Sequence, residues 1–554
     1  MMHDYPEHLV DEVRSGRMSR RELIRRGSVY GLSFTAISTL LAACGGNPTK
    51  TTSDNNKATV GPGKEKPFRK GGTARVGASN PAGELEPLTV NDGGTAYTMQ
   101  LALEYLCFPK PDLTLEPKLA TEWKPGSTVK EWTFKLREGV HWHDGSKLTA
   151  DDVVASFDRY SDPKGTASAL SAFSGILSKG NIEKVDDLTV RFHLDRAYAD
   201  FPALVSALTY SAPILPKNYQ AGEFRKGGVG TGAYILKTYK SQRSAHYVRN
   251  DKYWDGMPHL DAVDLTYFAE PAAMVLAMQG GSLDFFPGPT YKDVQNLRGR
   301  KGISIFENPS SSYRPMHMRV DTAPLTDKRV RQAIGLAVDR QALVTSLLGG
   351  AAELGNDHAF APIFPLSPSA SDVPQRKLDV AAAKKLLADA GHPNGLKVTL
   401  TTLQYQDIPQ LAVLLKQQLR KANVDMSLKI LTETAYFGSG KNQPWLDVPM
   451  GIVYWASRGA ASQLIAPAYL SHGVWNSAHW KNAQFDKLMA DFDAQSDAGK
   501  RKQTAVQAAR LMQDETPALI PYWIKELRAV ANGLQGVAPG PNVVFDPSTM
   551  GFAA

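Results

Sequence analysis

His141 and His143, with one residue between them, are side chains of metal-binding and acid–base type that fall close enough to act together. On a strand, alternate residues share a face, so the pair could supply two of the ligands of a tetrahedral zinc site. No His-Glu-x-x-His helix stands with them, and the Asp144-Gly145 turn that follows gives the stretch a structural reading as the flank of a chain reversal. The chain has no Gly-x-Ser-x-Gly elbow for a serine nucleophile. Gly438-Ser439-Gly440-Lys441 ends like a phosphate loop, but position 435, where the first glycine of that spacing belongs, is Ala. No catalytic residue, metal site, nucleotide site or cofactor is expected.

The two cysteines have different surroundings. Cys107, between Leu106 and Phe108, reads as a small buried hydrophobe. Cys44 follows Leu41-Ala42-Ala43, at the end of an uncharged segment that begins at Gly27, and Arg14, Arg17, Arg20, Arg21, Arg25 and Arg26 precede that segment. A charged start, a short apolar stretch and small residues at its end have the layout of an export signal over residues 1–43. The stretch falls short of the roughly 20 mainly apolar residues that span a bilayer. Ser19-Arg20-Arg21-Glu22-Leu23-Ile24 resembles the twin-arginine export motif, with Leu23 where that motif usually has Phe. Leu-Ala-Ala-Cys resembles the lipobox of bacterial lipoproteins. The lipobox resemblance implies a lipidated Cys44 that tethers the mature chain to a membrane surface, which leaves Cys107 without an intrachain partner and excludes a disulfide framework. The twin-arginine and general export routes both stay open. Residues 44–66 have almost nothing apolar to bury and read as a flexible tether.

The formal net charge is +8 over 554 residues, and basic residues such as Arg329, Arg331 and Arg340 are interleaved with acids. That pattern reads as a mixed solvated surface and excludes nucleic acid as a partner, because a binding groove needs a dense one-sided patch. A chain of this length favours more than one core. Strands are expected at Thr73–Gly77, Glu131–Leu136 and Val190–Leu194, and helices over Ala150–Tyr160 with Thr149 as cap, from Asp327 to Val338, and from Asp379 to Ala390 with Gly391 as stop. Strand Leu396–Leu403, helix Ile408–Lys421 and strand Val424–Ile430 form a right-handed crossover between parallel strands. The fold class is therefore α/β.

Several blocks in fixed order resemble one family. They are Leu136-Arg-Glu-Gly-Val-His-Trp-His-Asp-Gly-Ser146 running into Leu148-Thr-Ala-Asp-Asp-Val153, then Gly230-Thr-Gly-Ala-Tyr234, Arg249-Asn-Asp-Lys-Tyr-Trp-Asp-Gly256, Gln279-Gly-Gly-Ser-Leu-Asp284 and Arg329-Val-Arg-Gln-Ala-Ile334. Over about residues 70–550 the chain is similar to the extracellular solute-binding proteins of family 5, which serve peptide-, opine- and nickel-type ATP-driven (ABC) importers. The resemblance implies a two-lobed periplasmic-binding-protein fold of the large type II, cluster C-like kind, with the ligand enclosed between the lobes. The first lobe is expected at 67–310 plus 521–554, with an extra subdomain near 100–195, and the second at 311–520. It also implies a monomer in the periplasm or on the outer face of the cytoplasmic membrane, with ABC permease and ATPase subunits as partners. An exported hydrolase, or a chaperone or sensor on the same scaffold, are the alternatives.

In peptide-binding relatives an aspartate shortly after a tryptophan receives the ligand's amino terminus. Here that region reads Tyr454-Trp455-Ala-Ser-Arg458, with the tryptophan kept and the acid absent. A guanidinium there favours a carboxylate or phosphate, so Arg458 is the expected anchor for an anionic group, with Tyr454 and Trp455 as apolar or stacking surface. The alternative pairs Arg458 with a protein acid and buries Trp455 in the core. Asn80, Tyr97, Tyr313 and Trp475 are further cleft candidates by family position, with ordinary packing as the alternative for each. A short peptide, an opine-like conjugate, a sugar derivative and a metal chelate all remain open as ligands.

Overall fold

The structure, a computed structural model, describes residues 67–554 apart from 441, 532, 538–539 and 541–543. The export segment, Cys44, the tether and Lys441 lie outside the described residues.

Two sheets organise the body. The first runs in the order Ile303–Tyr313, Tyr522–Ala531, Phe285–Pro287, Thr73–Ser79, Ala262–Phe268, Ser244–Arg249 and Tyr234–Lys240, with Ala352–Leu354 also paired to Tyr522–Ala531. Thr73–Ser79 is parallel to both its neighbours, and helix Pro271–Gln279 makes the crossover between those two. The second sheet runs Val424–Leu431, Leu396–Leu403, Met450–Ile452, Met316–Met318 and Ala518–Leu519. Its first pair is parallel, with Leu396 opposite Val424 and Leu403 opposite Leu431, and helix Ile408–Arg420 packs Leu411, Leu415 and Leu419 into the core. The expected strand–helix–strand unit is therefore present, because apolar residues three and four apart along that helix form one buried stripe.

The chain passes from the first sheet to the second between Tyr313 and Met316, and back between Leu519 and Tyr522. Ile303–Tyr313 stays paired to Tyr522–Ala531 as far as Tyr313 opposite Trp523, so the expected 310/311 boundary falls inside a strand. Backbone pairing is the reason: cutting that ladder short would strand N–H and C=O groups in the interior.

A four-stranded antiparallel sheet, Ala120–Pro125, Glu131–Leu136, Thr189–His193 and Ile182–Asp186, stands beside the first. Helix Ala150–Tyr160 packs on it, and Phe134, Phe157, Phe192 and Phe201 meet edge to face or tilted at centroid separations of 5.0–6.2 Å. Each such buried side chain contributes about 1.5 to 3 kcal/mol. These residues share one hydrophobic core with the first sheet, and a second core gathers around the second sheet.

The motif blocks act as scaffold. Gly145 has φ of +90°, a turn conformation that glycine adopts freely, and the Ser146 N–H donates to Asp144 at 2.9 Å. Gly230 sits so close to the neighbouring chain that a Cβ there would fall 1.9 Å from the carbonyl oxygen of Ala102. His143 is bound into this corner: Gly230 N–H donates to its Nδ1 at 3.2 Å and its Nε2 meets the Gly232 carbonyl at 3.0 Å. Burial holds its pKa below the usual histidine value. Cys107 is fully buried and burial pushes its thiol pKa up, so the protonated form is kept.

Candidate functional site

Both lobes end their strands at a cavity of about 770 Å³. On the first-lobe side, Thr73–Ser79 delivers Ser79 and Asn80 from its carboxyl end, and helix Gly93–Met99 presents its first turn and Tyr97. On the second-lobe side the loop after Leu396–Leu403 brings Tyr405, Gln406 and Asp407. A connection passes over each of Thr73–Ser79 and Leu396–Leu403 to join that strand's two neighbours, and the crevice outside the carboxyl ends of the strands is where open α/β sheets bind ligands.

The second-lobe wall is aromatic and internally paired. The rings of Tyr405 and Tyr454 stack at 4.2 Å, and the Tyr454 hydroxyl donates to Glu433 at 2.7 Å. Burial, then that carboxylate, raise the Tyr454 pKa well above its ordinary value. Arg314 lies over the two rings at 5.8 and 6.0 Å, and its Nε and Nη2 donate to Asp407 at 3.3 Å and Gln406 at 2.9 Å. The second oxygen of Asp407 accepts from Tyr522 at 2.9 Å. Because this ion pair is buried and hydrogen-bonded, it fixes the loop's shape more than it stabilises the fold.

The first-lobe wall is less satisfied. Asn80 donates its backbone N–H to the Phe268 carbonyl at 3.0 Å, but its side-chain oxygen is buried with no hydrogen-bond partner among the described residues. Asp92 is committed to capping the following helix, accepting from Thr95 N at 2.8 Å and Thr95 Oγ1 at 2.7 Å. Tyr97 packs on Phe545 at 5.6 Å, and burial pushes its pKa up to about 12, so the hydroxyl is neutral and available as a donor.

The expected residues divide accordingly. Asn80, Tyr97, Tyr454 and Trp455 line this cavity, and Tyr313, Trp475 and Arg458 do not. Tyr313 is wholly buried at the end of the crossing strand, with its ring 4.7 Å from Trp523 and its hydroxyl 2.9 Å from that of Tyr469. Its backbone pairs with Trp455, so it supports that wall from behind. Trp475 is 38% exposed and meets Trp455 edge to face at 5.7 Å. Arg458 is set back: Ser311 Oγ accepts from its N–H at 2.7 Å and donates to its carbonyl at 2.9 Å. Its half-buried guanidinium pairs with no carboxylate among the described residues; burial depresses its pKa, with Tyr210 and Tyr313 nearby.

Arg314, Tyr405 and Asp407 were not expected from sequence. The crossover unit was legible, and the loop at the carboxyl end of its first strand was the signal for Tyr405 and Asp407. Arg314 had no comparable signal, since its partner lies 93 residues away. Among the described residues no group of three His, Cys, Asp or Glu could hold a metal ion, and no helix is long and apolar enough to cross a membrane.

Comparison with known proteins gives a consistent picture. Residues 114–476 match the family model described as bacterial extracellular solute-binding proteins, family 5 (middle). Heme-binding protein A of Haemophilus influenzae is 26% identical over 527 residues, covering 88% of this chain and 92% of its own. The oligopeptide-binding protein AppA of Bacillus subtilis is 28% identical over 528 residues, covering 90% and 93%. Among solved structures, HbpA2 of Haemophilus parasuis superposes with a TM-score of 0.78 at 22% identity, covering 87% of this chain and all of the other.

Proposed function

The chain belongs to the bacterial extracellular solute-binding proteins, family 5, and from that membership and the cleft we infer that it captures a peptide-like or other small polar organic solute and delivers it unchanged to an ABC permease and its ATPase. The family is one of extracytoplasmic binding proteins, not enzymes, which sets aside the exported hydrolase. Relatives named for oligopeptides and dipeptides favour a ligand with amide groups. The observation that carries the reading is a cavity of about 770 Å³ between the sheets, with an aromatic face on one side and the unpartnered Asn80 oxygen on the other. Such a volume is in the range of small-molecule sites. Contacts completed only when both walls meet the ligand favour the closed arrangement of the lobes, which is all that closure requires energetically.

Arg458 does not line the cavity, but its charge meets no carboxylate among the described residues, which supports an anionic group on the ligand. In this reading residues 67–310 with 521–554 form the first lobe, 311–520 form the second, and a lipid on Cys44 holds a monomer at the membrane through the 44–66 tether. Native mass spectrometry of the full chain purified from its own host tests the function. One small molecule per chain, released with its mass unchanged, is the expected result; conversion of the released compound on incubation with fresh protein would refute it.

A further inference from the structure

A second cavity, of about 410 Å³, lies away from the cleft, between the four-stranded sheet with residues 199–203 and the helices of the second lobe. Trp123, Trp132, Phe360, Phe364 and Phe492 are among the residues that line it. It is not continuous with the cleft's lining: Trp455 and Ala456 face the one space, and Gly459 to Ala461 face the other.

The wall is mainly apolar, and Thr114, Asp200 and one guanidinium also line it. Arg501 is 8% exposed and lines the cavity. Its Nε donates to the Phe492 carbonyl at 3.1 Å and its Nη2 to Asp200 at 2.7 Å, while its guanidinium lies 4.2 Å from the Phe492 ring. Nη1 has no hydrogen-bond partner among the described residues. A guanidinium nitrogen left free and accessible beside an apolar wall favours an acceptor, and because Asp200 already balances the charge, a neutral oxygen suits it better than an anion.

We propose that this cavity is a second ligand site, taking a neutral aromatic or apolar small molecule that bears a carbonyl-type oxygen directed at Arg501 Nη1. The site is built from both lobes beside a set of contacts that join them: Arg196 to Asp493 at 2.6 Å, Ala199 N–H to the Asp493 carbonyl at 2.8 Å, and Arg501 to Asp200. An occupant bridging Trp123 and Phe364 strengthens that junction, so it shifts the lobe equilibrium without entering the cleft.

Prodan, a neutral naphthyl ketone whose fluorescence moves to the blue in apolar surroundings, is a suitable probe for the full chain. Saturable binding with a blue shift is expected. Ala203→Phe, which fills the cavity, should weaken it about tenfold or more. Arg501→Lys, which keeps a cation for Asp200 but removes the planar donor, should weaken it about fivefold. Tyr454→Ala in the main cleft should change it by less than about twofold. Circular dichroism of each variant establishes that it is folded, and Arg501→Lys carries the test if Ala203→Phe is not. Absence of saturable binding overturns the site. So does binding that Tyr454→Ala abolishes, or that neither cavity variant alters.

Discussion

On the second-lobe wall of the cleft, Arg314, Gln406 and Asp407 pair with one another and Tyr454 with Glu433, whereas across the cavity Asn80 has a buried oxygen to which none of the described residues donates. A wall whose polar groups are already paired offers shape and an apolar face. A wall with an unpaired acceptor sets direction, because the desolvated oxygen is penalised until a ligand donor reaches it. In the proposed reading the cleft thus divides its work: the second lobe offers the ligand an apolar surface, and the first a hydrogen-bond acceptor.

The largest effect that distinguishes the two halves is acid. His317 and His358, both in the second lobe, have pKa values that burial lowers to about 4, while the first lobe carries His143, also held low. A histidine depressed in the folded state binds fewer protons than in the unfolded chain between about pH 6.5 and 4, so stability falls as pH falls through that window. Each of the pair should lose about 2 kcal/mol by about pH 5. Hydrogen exchange at pH 7 and pH 5 should show protection lost first in the second sheet; equal loss in both sheets would break the comparison.

Next in size is Arg314→Ala, which strips the cation from Asp407 and leaves, among the described residues, only the Tyr522 hydroxyl on that carboxylate. A loss of about 3 kcal/mol is expected in denaturant unfolding. A loss below about 1 kcal/mol would mean the ion pair does not organise the wall.

Arg458→Ala sharpens the ligand side. If an anionic group meets this guanidinium, affinity measured by calorimetry with the host-purified ligand should fall about thirtyfold. An unchanged constant removes the anchor. Tyr454→Ala, which takes half of the stacked pair, should weaken binding about tenfold. The smallest effect is that of Asn80→Ala, about fivefold, expressed for ligands with an N–H at that point and absent for analogues that lack it.

How much of this was legible in the sequence depended on distance along the chain. The crossover at 396–431, the Thr149 cap and the Asp144-Gly145 turn are local patterns, and period and cap chemistry fix them without reference to the rest. Tyr454 and Trp455 were found because a motif marks them. Tyr313 was expected on the cleft wall, but its position within the crossing strand decides otherwise: the chain must pair with both Trp455 and Trp523 there, which puts the ring in the core. Arg314 and Asp407 owe their meeting to the third dimension, where two loops from separate strands converge, and no periodicity encodes that. Arg458 was read as a charge awaiting a partner, but its setback behind Ser311 follows from backbone pairing that sequence does not display.

The strand Tyr522–Ala531 lies between Ile303–Tyr313 and Phe285–Pro287, segments that leave the ribosome long before it does. Until it arrives, both neighbours carry bare edges of unpaired amides, the feature that invites aggregation. The second core also draws Ala518, Leu519, Tyr522 and Trp523 from the same late segment, so it waits nearly as long. Both halves therefore stay open until this one segment is made, and a nascent chain halted before residue 518 can seal neither.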